Sequence, residues 1–213
     1  MKALHEFRKE YTLGLLSQEQ LTEHPITLFN TWLQDAINAK LPDPNAMTVA
    51  TVDPSGAPSQ RIVLLKEVSQ QGFVFYTNLG SNKAKDLSNN QNISLHFPWY
   101  FLERQVSVTG VAEKLSRADD AKYFLSRPKE SQLGAWASQQ SRPVSSRELL
   151  LTQFHQMKAK FAEGKIPLPD FWGGYRVIPK RIEFWQGGEH RLHDRFEYTL
   201  HHNDKWQTQR LMP

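Results

Sequence analysis

The chain has 213 residues, 39% hydrophobic and 23% charged, with a net charge of +4 and no cysteine. That length suits one folded domain with a sizeable core, and the absence of cysteine excludes disulfides and thiolate metal sites. No stretch reaches the roughly 18–20 apolar residues of a membrane span, and basic residues interleaved with acidic ones form no continuous nucleic-acid stripe.

Residues 1–24 read as a polar arm with a few apolar anchors, without the apolar run of a secretory signal. With cysteine absent, a cytoplasmic protein is expected. Residues 25–213 read as a single domain. From Pro25, the residues Leu28, Phe29, Trp32, Leu33, Ala36 and Ile37 recur at helical spacing, with proline suited to the first turn. Leu41-Pro42-Asp43-Pro44 ends that helix. Strands follow over Ala46 to Val52, Ser59 to Glu67 and Phe73 to Thr77, joined by the turns Asp53-Pro54-Ser55-Gly56 and Gln70-Gln71-Gly72.

Ser81 caps a short helix to Asn89. Ile93 to Pro98 and Arg104 to Leu115 are strands. Helices are predicted from Ser116 to Arg127, from Ser131 to Ala137 and from Ser146 to Ala162, the last with a stripe of Leu150, Phe154, Met157 and Phe161. Four strands finish the chain: Trp172 to Val177, Arg181 to Gln186, Arg191 to Leu200 and Lys205 to Leu211, with the last turn at Asn203-Asp204. Short connections make these strands antiparallel. The fold class is α+β, a small barrel-like sheet with helices inserted and appended.

Four segments carry chemistry. In Arg61-Ile62-Val63-Leu64-Leu65-Lys66 an apolar strand has a cation at each end. In an ideal strand these face opposite sides, and a bulge would bring them together; solvated strand ends are the plain alternative. Tyr76-Thr77-Asn78-Leu79-Gly80-Ser81-Asn82-Lys83 leaves a strand and enters a helix with hydroxyls, backbone N–H groups and a lysine, either a phosphate seat or an ordinary cap. Tyr123 and Arg127 lie one helical turn apart, with Ser131 at the next helix start: a phosphate cradle, or a surface pair beside a cap. The fourth segment runs from Ile182 to Phe196. If extended after its glycines, it sets Arg191, His193 and Arg195 on one face, where an anionic or electron-rich ligand would relieve their repulsion.

Gln105 and Gln140-Ser141 offer amides and a hydroxyl to a heterocycle edge, and Trp185 is either a stacking platform or a core residue. His190 and His193 lack the further ligands that zinc needs, so no metal is expected. No Gly-x-Ser-x-Gly elbow is present.

In this order, Arg8-Lys9-Glu10-Tyr11, Arg61 to Lys66, Tyr76 to Lys83, Leu102-Glu103-Arg104-Gln105-Val106, Ser126-Arg127-Pro128, Phe171-Trp172-Gly173-Gly174 and Ile182 to Phe196 closely resemble the pyridoxamine/pyridoxine 5′-phosphate oxidase family over nearly the whole chain. The resemblance implies a split β-barrel homodimer with FMN at the subunit interface. It also implies oxidation of pyridoxamine or pyridoxine 5′-phosphate to pyridoxal 5′-phosphate by O2, releasing hydrogen peroxide and, from the amine, ammonia.

It assigns Arg61, Ile62, Val63, Leu64, Leu65, Lys66, Tyr76, Thr77, Asn82, Lys83, Gln105, Gln140, Ser141, Trp185 and Arg195 to the flavin. Lys66, Tyr123, Arg127 and Ser131 are assigned to the substrate phosphate. Arg191, Leu192 and His193 would lie over the pyridine ring, with Arg8, Lys9, Glu10 and Tyr11 closing as a lid. Arg191, His193, Asp43, Arg8 and Tyr11 are the residues it links to activity. Asn82 stands where the family often has arginine, which removes one charge-assisted phosphate contact; Lys9 for arginine loses a planar fork. A barrel that holds flavin or pyridoxal phosphate without turnover is a second reading. A basic RNA- or DNA-binding barrel is a third, and it lacks a stacking aromatic stripe.

Overall fold

Apolar residues alternating with polar ones give the first strand, β1 (Ala46–Val52), one buried and one half-buried face. The computed structural model describes residues 3–202 and 204–213; Met1 and Lys2 of the expected arm and Asn203 of the last turn lie outside them. The other strands are β2 (Pro58–Leu64), β3 (Glu67–Ser69), β4 (Gly72–Asn78), β5 (Asn92–Trp99), β6 (Arg104–Lys114), β7 (Trp172–Gln186), β8 (Asp194–Leu200) and β9 (Trp206–Leu211). The helices are α1 (Pro25–Asn38), α2 (Asn82–Asn89), α3 (Arg117–Ser126), α4 (Lys129–Ala137) and α5 (Arg147–Lys160). Among the described residues no helix is long and apolar enough to cross a membrane.

All described pairings are antiparallel. The sheet runs β2-β1-β5-β6-β7-β4-β3, with β8 and β9 branching from β7. β7 gives one edge to β6 and divides the other between β4, along Trp172 to Val177, and β8, along Arg181 to Gln186. This fork splits the barrel. The two ends of the path, β2 and β3, are separated in sequence by Leu65 and Lys66 alone, so the sheet curls without closing. Phe29 and Trp32 of α1 fill the curl, edge-on to Phe73, Phe97 and Phe184. A second, smaller core joins α3 and α4 to the start of β7 through Phe124, Leu133, Ile166 and Trp172.

Five expectations need correction. The strand expected from Ser59 to Glu67 breaks at Leu65, whose side chain turns into the core while Lys66 stays exposed. The strands expected to end at Val177 and begin at Arg181 are one, because Pro179 sits at a register shift opposite Gly110. A side chain at Gly110 would meet the Ile178 carbonyl at 2.1 Å, so glycine is required there. The fourth helix starts at Lys129 after Pro128, which puts Ser131 inside it rather than at its cap. Leu150 is 40% exposed and leaves the predicted stripe, although Phe154, Met157 and Phe161 pack on the smaller core. The last correction matters most: β8 begins at Asp194, not Arg191. His190 and Arg191 take left-handed φ of 54° and 64° in a 3-10 turn, Glu189–Arg191, so alternation does not align Arg191 with His193 and Arg195.

Candidate active site

A cavity of about 650 Å³ opens between β2, β4 and the α3–α4 junction. Ile62, Val63, Leu64, Lys66, Tyr76, Thr77, Lys83, Tyr123, Arg127, Ser131 and Gln140 all line it. The end of β4 turns through Gly80 into α2, and that turn buries Lys83 at 7% exposure. Its Nζ donates to Thr77 Oγ1 (3.1 Å) and Gln140 Oε1 (2.8 Å), both neutral. Burial, and secondarily the Arg61 charge, pull the Lys83 pKa down to about 8.

Arg61 is held in the same way, by uncharged groups. Its guanidinium donates to Thr51 Oγ1 (2.7 Å) and Ser59 Oγ (2.7 Å), and the Thr51 hydroxyl donates in turn to Asp86 Oδ2 (2.7 Å). Thr51 and Asp86 are both buried, and sequence reasoning gave them no role. The spacing of Asp86 three residues after Lys83 on α2 was the available signal. Asn82 and Ser141 are exposed and joined through Asn82 N–H and Ser141 Oγ at 3.4 Å.

Across the cavity, Tyr76 stacks on both Tyr123 (centroids 4.1 Å apart) and Trp172 (5.1 Å), which are 6.1 Å from each other. The Arg127 guanidinium lies over the Trp172 ring at 4.9 Å, and its buried Nη1 has no hydrogen-bond partner. Arg127 has left the helix and caps it in an extended conformation, yet it and Tyr123 still meet at the cavity. Among the described residues no ion pair within 4.0 Å involves Arg61, Lys66, Lys83 or Arg127. Cations left without counter-charge beside an open volume suit anionic ligands.

The other predicted residues gather elsewhere. Gln105, Trp185 and Arg195 face one another in register across β6, β7 and β8. Arg195 donates to Glu183 Oε1 (2.8 Å). The His193 ring lies 4.6 Å from Trp185, and Tyr11 of the arm meets both rings edge-on at 5.6 and 5.7 Å. His193 Nδ1 accepts the Gly188 N–H (3.2 Å), so a neutral ring carries its proton on Nε2. Arg191 and Leu192 are exposed beside this cluster, as are Arg8, Lys9 and Glu10 on the arm. Asp43 stands apart, exposed in a left-handed turn (φ 47°) after α1. Trp172 at the cavity and Trp185 in the ring cluster lie near opposite ends of β7. Thirteen residues of extended chain set them about 40 Å apart along the strand. Among the described residues no cluster of three His, Asp or Glu side chains suits a metal.

A forked antiparallel barrel with unneutralised cations around one cavity defines a split-barrel protein built for phosphate-bearing ligands. Residues 33–161 match the family model described as pyridoxamine 5′-phosphate oxidase, and residues 172–213 match the one described as the pyridoxine 5′-phosphate oxidase C-terminal dimerisation region. The chain belongs to the pyridoxamine 5′-phosphate oxidase family.

It is 61% identical over 211 residues to the pyridoxine/pyridoxamine 5′-phosphate oxidase of Alteromonas mediterranea, covering 99% of this chain and 100% of the relative. It is 60% identical over 210 residues to that of Pseudoalteromonas translucida, covering 99% of each. The crystal structure of PhzG from Burkholderia lata 383 in complex with tetrahydrophenazine-1-carboxylic acid superposes with a TM-score of 0.88 at 29% identity, covering 93% of this chain and 98% of that one. An FMN-binding protein from Nostoc punctiforme shares the fold at a TM-score of 0.73 and 12% identity, over 91% of this chain and 100% of that one.

Proposed function

We propose that the chain is an FMN-dependent oxidase that converts pyridoxamine 5′-phosphate or pyridoxine 5′-phosphate to pyridoxal 5′-phosphate, with O2 as acceptor. The products are pyridoxal 5′-phosphate and hydrogen peroxide; the amine also consumes one water, whose oxygen becomes the aldehyde oxygen, and releases ammonia. The observation that carries this reading is one cavity lined by Lys83, Lys66 and Arg127, none of them in an ion pair among the described residues. This gives two sets of cations: Lys66 with Arg127, and Lys83 with Arg61, the last behind the lining and tied to Asp86 through Thr51. Each set fits one phosphate ester. Lys83, Arg61, Thr77 and Gln140 would hold the FMN phosphate, and Arg127, Lys66, Tyr123 and Ser131 that of the substrate. Bound FMN would supply the two-electron acceptor that O2 regenerates. The protein places the substrate and fixes its charge.

Arg191 and His193 would hold and orient the pyridine ring, with the His193 Nε2 proton available to the substrate. Within one chain neither residue lines the cavity, and both follow the end of β7 opposite to the one at Trp172. We therefore place FMN between two copies of the chain, with Gln105, Trp185, Arg195, Arg191 and His193 supplied by the partner. The match to a dimerisation region over residues 172–213 supports a homodimer. Exposed area supports it as well: the single chain shows 13310 Å², where a monomer of this mass exposes about 10000 Å². Ile62 is 73% exposed on the cavity strand, an apolar surface for a partner to cover.

Residues 1–24 act as the arm in this reading, residues 25–213 as the barrel domain, and the cytoplasm is the compartment. Purified protein offered FMN should turn yellow and release peroxide on addition of pyridoxine 5′-phosphate in air. Protein that stays colourless, or yellow protein that leaves the substrate untouched, would refute the oxidase.

A further inference from the structure

Glu103 is buried to 2% exposure in a left-handed conformation (φ 54°), just after the 3-10 turn Tyr100–Leu102. A carboxylate is rarely buried unless its partners are built in, and here they come from the N-terminal arm. The backbone N–H groups of Thr12 and Leu13 donate to Oε2 at 2.8 and 2.9 Å, and Lys9 Nζ lies 2.7 Å from Oε1. Burial acts to raise the Glu103 carboxyl, but the Lys9 bond and the two N–H groups outweigh it and keep it below the usual carboxylate range.

The main chain of the same residue binds the β7–β8 turn. The Glu103 carbonyl accepts from Gly187 N–H (2.7 Å) and from the Gln186 amide (3.2 Å). Tyr11 lies between these two grips, against Trp185 and His193. It covers Gly187 so closely that a Cβ there would come within 2.7 Å of the Tyr11 ring. Further along, Leu16 N–H donates to Asp194 Oδ2 (3.0 Å), and Glu10 Oε2 accepts the His190 N–H (3.3 Å). The arm is thus fastened by carboxylates on both sides of Tyr11.

We propose that Glu103 is a positioning residue: its ionised side chain latches the arm so that Tyr11 is seated on the Trp185–His193 face. The consequence for turnover rests on the proposed role of that face in holding substrate. The latch itself does not.

Glu103→Gln keeps the shape, the backbone and the main-chain acceptor, and removes the charge. In the FMN-loaded full chain, tryptic cleavage after Arg8 and Lys9 should accelerate roughly tenfold or more, the factor for losing a charge-assisted hydrogen bond at a locally opening segment. KM for pyridoxine 5′-phosphate should rise with flavin content unchanged. Should the glutamine variant fail to fold, Thr12→Pro removes one donor from the exposed arm and should give the same pair of changes. Unaltered cleavage in a folded variant overturns the latch; faster cleavage with an unaltered KM overturns the positioning role. A parent protein without turnover would sink the oxidase reading alone, and the cleavage comparison would still decide the latch.

Discussion

Binding of FMN should take up protons, and the amount follows from Lys83. The free chain holds this lysine at a pKa of about 8, against an ordinary 10.5, because burial penalises its charge and Arg61 adds repulsion. The sign is that of a depressed base. Below pH 8 the folded protein bears the full cost of charging Lys83, about 3 kcal/mol, and this is relieved as pH rises from 8 towards 10.5. Lys83 is 7% exposed, so solvent screens little of it. A phosphate seated against Nζ offsets the desolvation and returns the pKa towards its ordinary value.

At pH 9 the free lysine is about 10% charged and the bound one nearly fully so, which gives uptake of about 0.9 proton per FMN, falling to about 0.5 at pH 8 and 0.1 at pH 7. The phosphate monoester loses its second proton near pH 6 and contributes little in this range. FMN affinity should therefore weaken about tenfold between pH 8 and 9.5. Calorimetric titration in two buffers of different ionisation enthalpy measures the uptake. A flat value near zero from pH 7 to 9, or the same uptake in Lys83→Met, would refute the reasoning.

Three further substitutions separate the parts of the site. Arg191→Ala should lower kcat far more than flavin content, and equal turnover in variant and parent would reject its role at the substrate ring. Arg127→Ala removes a guanidinium held over Trp172 and should raise KM for the B6 phosphate by about 10- to 100-fold with kcat little changed, as for one lost charge-assisted contact; steady-state kinetics decides. Asp86→Asn weakens the Asp86–Thr51–Arg61 chain and should weaken FMN binding by fluorescence titration while leaving KM for substrate near the parent value.

Clean periodicity made most elements legible. β1 follows its alternation, and α1 buries Leu28, Phe29, Trp32 and Ala36 of its predicted stripe because it turns one face to one core, while Ile37 in its last turn is 47% exposed. The grouping of cavity residues was legible too: Tyr123, Arg127 and Ser131 meet at the cavity although Ser131 does not cap α4 and Arg127 lies outside α3. Long-range geometry was not legible. Two non-glycine residues in left-handed conformation, His190 and Arg191, broke an alternation that local propensity supports. Pro179 looked like a strand break, because its tolerance depends on Gly110, far away in sequence.

Glu103 carried no signal beyond its place in Leu102-Glu103-Arg104-Gln105-Val106, since its partners lie some 90 residues earlier. Thr51 and Asp86 went unread for the same reason: a hydroxyl and a carboxylate acquire a role through an arginine brought beside them by β-pairing.

β7 reaches from the cavity at Trp172 to the aromatic cluster at Trp185, so in the proposed dimer each protomer would lend opposite ends of one strand to two different catalytic centres. A released monomer would then keep its cations but lose the partner's ring face that completes the proposed site. Specific activity then becomes a readout of protomer concentration: below the dissociation constant of the pair, the number of working centres falls with the square of dilution.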